Sequence, residues 1–510
     1  MTQAIAISDI PFETKPATEL RATPPPACRF GNLYFEGRWQ PGSAGYSTEV
    51  ISPWTLQAIA RINVANEGDV DRAFSFAKQA QPAWAAVLPG QKAEVFRNAA
   101  RVFEARRAEI VDWLVREAGS TQIKAQIEWW AVHNSILEAA TLPSRVEGRI
   151  LSGDYPGKEN LVYRLPVGVV SVISPWNWPL HLSMRSVAPA LALGNAVVLK
   201  PAGDTPITGG LLIAKIFEEA GLPSGALSVV AGPSSRIGDH FVAHAVPRVL
   251  SFTGSTEVGR HVGDLSLRSE MIKRTMLELG GNGPLLVTED VDLDHAVHTA
   301  VVGKFLHQGQ MCIAVNRIIV ADSIHDEFVT RFVAKTRALK VGGPSDPDAA
   351  IGPIINRQQF ERIAALVENA KAEGARLLLA EPCNGLLMPP RVFDGVTQHM
   401  SIARAEIFGP VATILRASDD DEALRIANDT EYGLTSGVLC RDLGRAMALA
   451  RGIEAGMTHI NDIPAVDMPQ LAFGGEKNSG LGRFGSRDVI DEFTTQHWIS
   501  IQHSKAQYPF

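Results

Sequence analysis

The sequence predicts an α/β protein in which two parallel sheets are each covered by helices on both faces. Three observations carry that expectation. The chain has 510 residues, far more than one hydrophobic core accommodates, which at roughly 150 residues per domain implies two to four domains. Its composition, 45% hydrophobic and 20% charged, is that of an ordinary folded protein rather than a disordered or fibrous one. Short β-branched runs alternate with helical segments twice along the chain, the pattern of right-handed crossovers within parallel sheets.

The elements follow in order. Residues 1–28, with Pro11, Pro16 and the run Pro24 to Pro26, have no sustained periodicity and are expected to form a flexible N-terminal arm. The fold begins near Phe30. From Asp69 to Thr141 apolar residues recur at helical spacing, as in Val95, Ala99, Val102 and Phe103, with a break at Pro89-Gly90, which predicts a helical layer. Strands are expected at Val169–Ile173, Ala196–Leu199, Leu227–Val230 and Val249–Phe252. Between them lie helical stretches at Ser183–Leu193, Ile207–Ala220 and Ile237–Ala245. A boundary fits near Gly280-Gly281. The second series has strands at Leu285–Val287, Arg317–Val320, Ala375–Leu379, Val411–Leu415, Ser436–Leu439 and Met457–Ile460, with a helix at Leu293–Leu306. Leu161–Leu165 and Asp491–Ile501 also read as strands, remote from both sheets, and suggest a separate arm that joins another subunit.

Several function classes are excluded. Lys and Arg number 48 against 55 Asp and Glu, a net charge of −7 that lacks the footprint of a nucleic-acid binder. The longest nearly uncharged apolar stretch, Val187 to Leu199, is interrupted by Pro189, Gly194 and Asn195 and falls short of the ~18 residues of a spanning helix. The first ten residues lack a basic region before an apolar run, so a cytoplasmic protein is expected. The four cysteines (Cys28, Cys312, Cys383 and Cys440) are widely spaced without a C-x-x-C, which argues against a disulfide framework or zinc ribbon. His240 and His244 stand i, i+4 on a helix, but no neighbouring Glu or third ligand accompanies them, so no metal is expected.

Four segments could carry chemistry. Ser251 to Gly259 (SFTGSTEVG) ends a strand in a Gly turn where a helix should begin; unpaired N–H groups there suit a phosphate, while plain N-capping by Ser255 is the alternative. Cys312, in Gly309 to Ala314, follows a helix and precedes a strand. Backbone N–H groups in such a loop lower a thiol's pKa, whereas burial as a small hydrophobe is the other reading. Glu278 sits in Met276 to Gly281, where burial would raise its pKa toward that of a general base and a solvent-facing position would not. Asn177, within Ser174 to Pro179 (SPWNWP), is either an oxyanion donor or part of a capped turn. The G-x-G-x-x-G of Gly480, Gly482 and Gly485 follows no strand and reads as a loop.

Taken in order, Pro175 to Pro179, Leu199-Lys200-Pro201, Phe252 to Gly259, Leu277 to Asn282, Gly309 to Cys312, Glu406 to Pro410 (EIFGP) and Phe473 to Arg483 resemble the aldehyde dehydrogenase superfamily from about Gly31 to the C-terminus. Phe305 to Gln310, Met184 to Pro189, Thr458 to Asp462 and Tyr508 to Phe510 are most similar to bacterial benzaldehyde dehydrogenases, with vanillin and salicylaldehyde dehydrogenases as close relatives. The resemblance implies two Rossmann-like domains and a small β oligomerisation arm. The dinucleotide-binding domain would take residues 29–147 and 168–279, the catalytic domain 280–485, and the arm 148–167 and 486–510 of a homodimer or homotetramer. It also implies oxidation of an aromatic aldehyde to the acid through a cysteine thioester. Cys312 would be the nucleophile, Asn177 the oxyanion donor and Glu278 the base that activates water. Ser174, Pro175, Trp176, Lys200, Gly203, Gly254, Ser255, Gly259, Leu279, Glu406 and Phe408 would bind the dinucleotide. Many NAD-specific members place a Glu where this chain has Gly203, so NAD is expected with NADP allowed. Trp178, Leu182, Met311, Ile313 and Phe473 would form an apolar substrate wall or simply pack a domain interface; Arg185 would face a ring substituent or join a structural ion pair. The alternatives are a broad-specificity or aliphatic aldehyde dehydrogenase and a catalytically silent binding protein on the same fold.

Overall fold

The computed structural model describes residues 30–485 and 487–510, and the arm expected over residues 1–28 lies outside the described residues. A short antiparallel pair, β1 (Leu33–Phe35) and β2 (Arg38–Gln40), is followed by the hairpin β3 (Ser47–Ile51) and β4 (Ala58–Asn63). The helical layer resolves into α1 (Glu67–Ala86), α2 (Pro89–Ala105), α3 (Arg107–Ala118) and α4 (Gln122–Ala139). Its breaks have local causes. Pro89 occupies the first turn of α2, where its missing N–H costs nothing, and Thr121 caps α4 by accepting from Lys124 N.

After β5 (Arg149–Leu151) and β6 (Lys158–Pro166) the first βα series begins. It runs β7 (Val169–Ile173), α5 (Pro179–Ala192), β8 (Ala196–Lys200), a π turn at Ile207–Leu211 leading into α6 (Leu212–Glu219), and β9 (Leu227–Val229). It continues through α7 (Ser234–Ala243), β10 (Val249–Thr253), α8 (Thr256–Arg268) and β11 (Arg274–Glu278). The parallel strands lie in the order β9-β8-β7-β10-β11, so the winding direction reverses between β7 and β10. Ligands in such sheets bind beyond the carboxyl ends of the strands at that reversal. Strands β7, β8 and β10 are buried nearly throughout, as a sheet covered on both faces demands.

The chain passes to the second sheet between Glu278 and Gly283. There β12 (Gly283–Val287), α9 (Leu293–Phe305) and β13 (Val315–Ala321) are joined by strands at Arg376–Leu379, Arg391–Asp394, Val411–Ala417, Thr435–Leu439 and Met457–Ile460. All pairings in this sheet are parallel except that of Arg376–Leu379 with Arg391–Asp394. The α/β fold class is thus as expected. A third sheet pairs Thr494–Gln502 with β6 over nine residues, and β6 with β5.

One expected boundary is corrected here. Asp491 to Phe493 are helical, not extended, and belong to a turn-and-a-half helix at Asp488–Phe493. Val489, Ile490 and Phe493 share its buried side, Asn195 Nδ2 donates to Phe493 O, and Asp488 and Asp491 lie in its first turn, so packing overrides the β-like tail pattern. Among the described residues no helix is long and apolar enough to cross a membrane.

Candidate active site

The carboxyl end of β7 leads through Ser174, Pro175, Trp176, Asn177 and Trp178 into α5, whose first residue is Pro179. Every residue of α5 is buried, so its start cannot shift. Glu128 of α4 holds that start: its Oε1 accepts from Leu180 N (3.0 Å) and His181 N (3.1 Å). The fully buried Lys124 pairs with Glu128 and lies 4.7 Å above the Trp178 ring. Asn177, fixed at this corner, donates from Nδ2 to Gln310 O (3.0 Å), which ties it to the segment that carries Cys312.

That segment is unusual backbone. His307 and Gln308 both adopt left-handed conformations (φ 50° and 55°), rare for side-chain-bearing residues, and are held by packing and by Gln308 Nε2 donating to Pro353 O (3.0 Å). Gln310 Oε1 accepts from Ile355 N (3.1 Å). The Cys312 carbonyl then packs against Gly281, where a Cβ would sit 2.2 Å from the oxygen, so only glycine fits. Burial pushes the Cys312 thiol up to about 12, helped by the Glu278 and Glu406 carboxylates. Of the two readings of Cys312, a thiol lowered by the loop's N–H groups is not the one found: burial and nearby carboxylates outweigh them.

Glu278 ends β11 opposite Gly480, the first glycine of the triplet, which forms a two-residue strand rather than a phosphate loop. Glu278 is 2% exposed and neither carboxylate oxygen has a hydrogen-bond partner among the described residues. Burial pushes it up to about 8; Arg185, 4.0 Å away, works the other way. Of the two readings of Glu278, burial is the one the structure has.

The carboxyl edge of the first sheet collects the expected dinucleotide residues. Lys200 ends β8, buried, with Nζ donating to Ser234 Oγ (2.8 Å), and burial lowers it to about 8. Gly254 and Ser255 follow β10; Ser255 is exposed and caps α8 by accepting from Val258 N (3.4 Å), so capping and an anion-facing helix start coexist. Leu279 packs onto Gly259 in the first turn of α8. Glu406 Oε1 accepts from Gly281 N (2.9 Å), and burial raises this carboxyl to about 7. Phe408 (φ 51°) meets Trp176 edge-on at 5.4 Å. Gly203 is exposed with open space around it, and the adjacent Asp204 is turned to Asn356 Nδ2 (3.2 Å). An exposed helix start at Ser255, the buried Lys200 and an open Gly203 after the ends of β10 and β8 fit a dinucleotide.

Of the expected wall, Leu182, Met311 and Phe473 are buried and Trp178 and Ile313 half-buried, with Trp178 edge-on to His307 at 6.3 Å. Arg185 is in an ion pair: it reaches Asp467 Oδ2 (3.2 Å) and lies over the rings of Phe473 (4.5 Å) and Phe484 (4.4 Å). Sequence reasoning missed Asp467, His181, Lys124 and Glu128. A hint was available, since His181/Arg185 and Lys124/Glu128 are each spaced i, i+4 on a helix. His240 and His244 both approach Asp71 (2.6 and 3.4 Å).

The chain matches the model of the aldehyde dehydrogenase family over residues 39–499. It is 49% identical over 468 residues to a vanillin dehydrogenase of Corynebacterium glutamicum, covering 92% of this chain and 97% of that protein. It is also similar to the crystal structure of an NAD-dependent benzaldehyde dehydrogenase from Corynebacterium glutamicum (TM-score 0.86, 46% identity, 92% and 98% of the two chains). A salicylaldehyde dehydrogenase from Pseudomonas putida G7, solved with salicylaldehyde, superimposes with a TM-score of 0.91 at 36% identity over 94% and 99% of the chains.

Proposed function

The chain belongs to the aldehyde dehydrogenase family, and from that premise we propose that it oxidises an aromatic aldehyde, of the benzaldehyde, vanillin or salicylaldehyde type, to the carboxylic acid with NAD. The observation that carries the chemistry is the buried, unbonded carboxylate of Glu278 acting on the same site as the Cys312 thiol.

In this reading Cys312 gives its thiol proton to the Glu278 carboxylate, which passes it to solvent, and Sγ adds to the aldehyde carbon. The oxyanion is received by the Asn177 amide, which the Gln310 carbonyl already orients, and by the Cys312 N–H. NAD, when bound, supplies the acceptor for the hydride that leaves the former aldehyde carbon, and a thioester remains on Cys312. Glu278 then takes a proton from water as the water oxygen bonds the thioester carbon; the C–S bond breaks, the acid departs, and Glu278 returns that proton to the sulfur, which regenerates the thiol and the carboxylate. Lys200 and Glu406 would hold the riboses, the start of α8 the pyrophosphate, and Trp176 and Phe408 the nicotinamide end. NADP is a second reading, favoured by one observation: no carboxylate occupies Gly203 to repel a 2′-phosphate.

The third sheet, with Trp498 exposed on its outer strand, is the surface proposed for assembly into a homodimer or homotetramer. Free thiols at Cys312, Cys383 and Cys440 support a cytoplasmic setting. NADH and NADPH formation with benzaldehyde, vanillin, salicylaldehyde and hexanal, beside Cys312→Ala, tests the reading. Cys312-dependent reduction fastest with an aromatic substrate is expected; a folded, NAD-binding protein inert toward all four would refute it.

A further inference from the structure

Glu278 poses an electrostatic problem. A carboxylate this deeply buried, with no hydrogen bond to either oxygen, favours its neutral form, yet a base must be ionised before it can accept a proton. The charged and titratable groups that act on it are few: Arg185 from α5, Asp467 and Arg483 from the C-terminal loops, and the Cys312 thiol. Arg185 NH2 stands 4.0 Å from Glu278 Oε2, too long for a hydrogen bond but close enough for attraction in a dry site.

Arg185 is itself immobilised. Its guanidinium carbon lies over the rings of Phe473 and Phe484, 4.5 and 4.4 Å from their centroids, and NH1 donates to Asp467 Oδ2 (3.2 Å). The same Asp467 oxygen is 2.8 Å from His181 Nε2. Asp467, Arg185 and His181 border a cavity of about 30 Å³, room for a water molecule, which Glu278 does not line. The guanidinium thus hydrogen-bonds Asp467 and meets Glu278 only at ion-pair range.

We propose that Arg185 is a positioning residue for Glu278: packed on the rings of Phe473 and Phe484 and anchored on Asp467, its guanidinium is the fixed counter-charge that keeps Glu278 ionised when water attacks the thioester. This rests on the reading of Glu278 as the base. It carries a sign that a merely structural role would not produce. Removing the Arg185 charge makes Glu278 harder to ionise. Removing the Asp467 charge, which opposes Arg185, makes Glu278 easier to ionise. Asp467→Asn retains an oxygen for Arg185 while losing the charge.

The test is steady-state NADH production between pH 5.5 and 9.5 for the parent, Arg185→Gln, Arg185→Lys and Asp467→Asn, with the pre-steady-state NADH burst recorded for each. The expected result is that the acid limb of turnover moves to higher pH by about one unit or more in Arg185→Gln. It returns most of the way in Arg185→Lys and moves to lower pH in Asp467→Asn, with the burst retained throughout. Limbs that move together, or that stay in place while the bursts persist, overturn the proposal. Should Arg185→Gln fail to fold, Asp467→Asn decides alone: a shift to lower pH supports the proposal, and an unmoved or alkaline-shifted limb overturns it. A parent that shows no burst with any aldehyde would instead overturn the assignment of Cys312 and Glu278, and this inference with it.

Discussion

The Lys124–Glu128 pair makes a sharp prediction about how the site is held. Both side chains are fully buried, and Glu128 does two jobs: it neutralises Lys124 and receives the first N–H groups of α5, at Leu180 and His181. Glu128→Gln keeps an oxygen for those N–H groups but leaves Lys124 as a buried charge without its counter-ion, which costs on the order of 3–5 kcal/mol. Lys124→Met leaves Glu128 with both N–H partners at a helix N-terminus, where negative charge is favoured, so about half that cost is expected. The double variant contains no buried charge and replaces the pair with side chains of similar length, so it should lie within about 1–2 kcal/mol of the parent. The two changes are therefore non-additive by at least about 2 kcal/mol. Urea unfolding of the four proteins at one protein concentration, followed by tryptophan fluorescence, measures the cycle. Costs that add within about 0.5 kcal/mol would refute the argument, because they would mean that the charges do not depend on each other.

Other expectations follow from the same geometry. Glu278→Gln should keep an NADH burst while steady turnover falls about 10²-fold or more; turnover at the parent rate removes Glu278 as the base. The same change should alter stability with a defined sign. Burial raises Glu278 from 4.5 to about 8, so its contribution is fully present below pH 4.5 and is lost as pH rises through 8. The Gln variant should gain on the parent across that window, by about 4 kcal/mol at pH 8, and parallel unfolding curves at pH 5 and 8.5 would contradict this. Gly259→Val places a Cβ 2.2 Å from a Leu279 methyl, so a loss of about 1–3 kcal/mol in unfolding is expected, relieved by adding Leu279→Ala. Asn177→Ala should slow NADH formation about 10²- to 10³-fold in the burst itself; an unchanged burst rate rules out the oxyanion role.

What the sequence discloses is what local pattern encodes. The buried strands of both sheets are continuous β-branched runs, and so β7, β8 and β10 lie within a residue of their expected positions. Cys312, Glu278 and Asn177 stand out because each is a reactive side chain at a strand or helix end beside glycine or proline. Their surroundings come from far along the chain. Arg185 finds Asp467 across 282 residues, and Leu180 finds Glu128 across 52, distances at which no spacing rule operates. The Asp488–Phe493 helix and the carboxylates that act on Cys312 were hidden for the same reason: the helix packs against α5, and Glu278 and Glu406 reach the thiol from a strand end and a loop far apart in the chain.

The two central groups constrain each other. Cys312 and Glu278 are both held toward their protonated forms by burial, and the Glu278 charge further raises the Cys312 thiol, so negative charge on both at once is disfavoured. Such a site works by moving one negative charge rather than by holding two. In the proposed reaction, when Cys312 carries the charge as nucleophile, a neutral Glu278 is the favoured partner. Once the sulfur is acylated it is neutral, and the obstacle to ionising Glu278 is removed at the stage where water must lose a proton. The counter-charge of Arg185 then acts on a carboxylate that no longer competes with a thiolate. In the proposed reaction, acylation of Cys312 is thus itself the event that readies the base, and the order of the two half-reactions follows from the electrostatics of one buried pair.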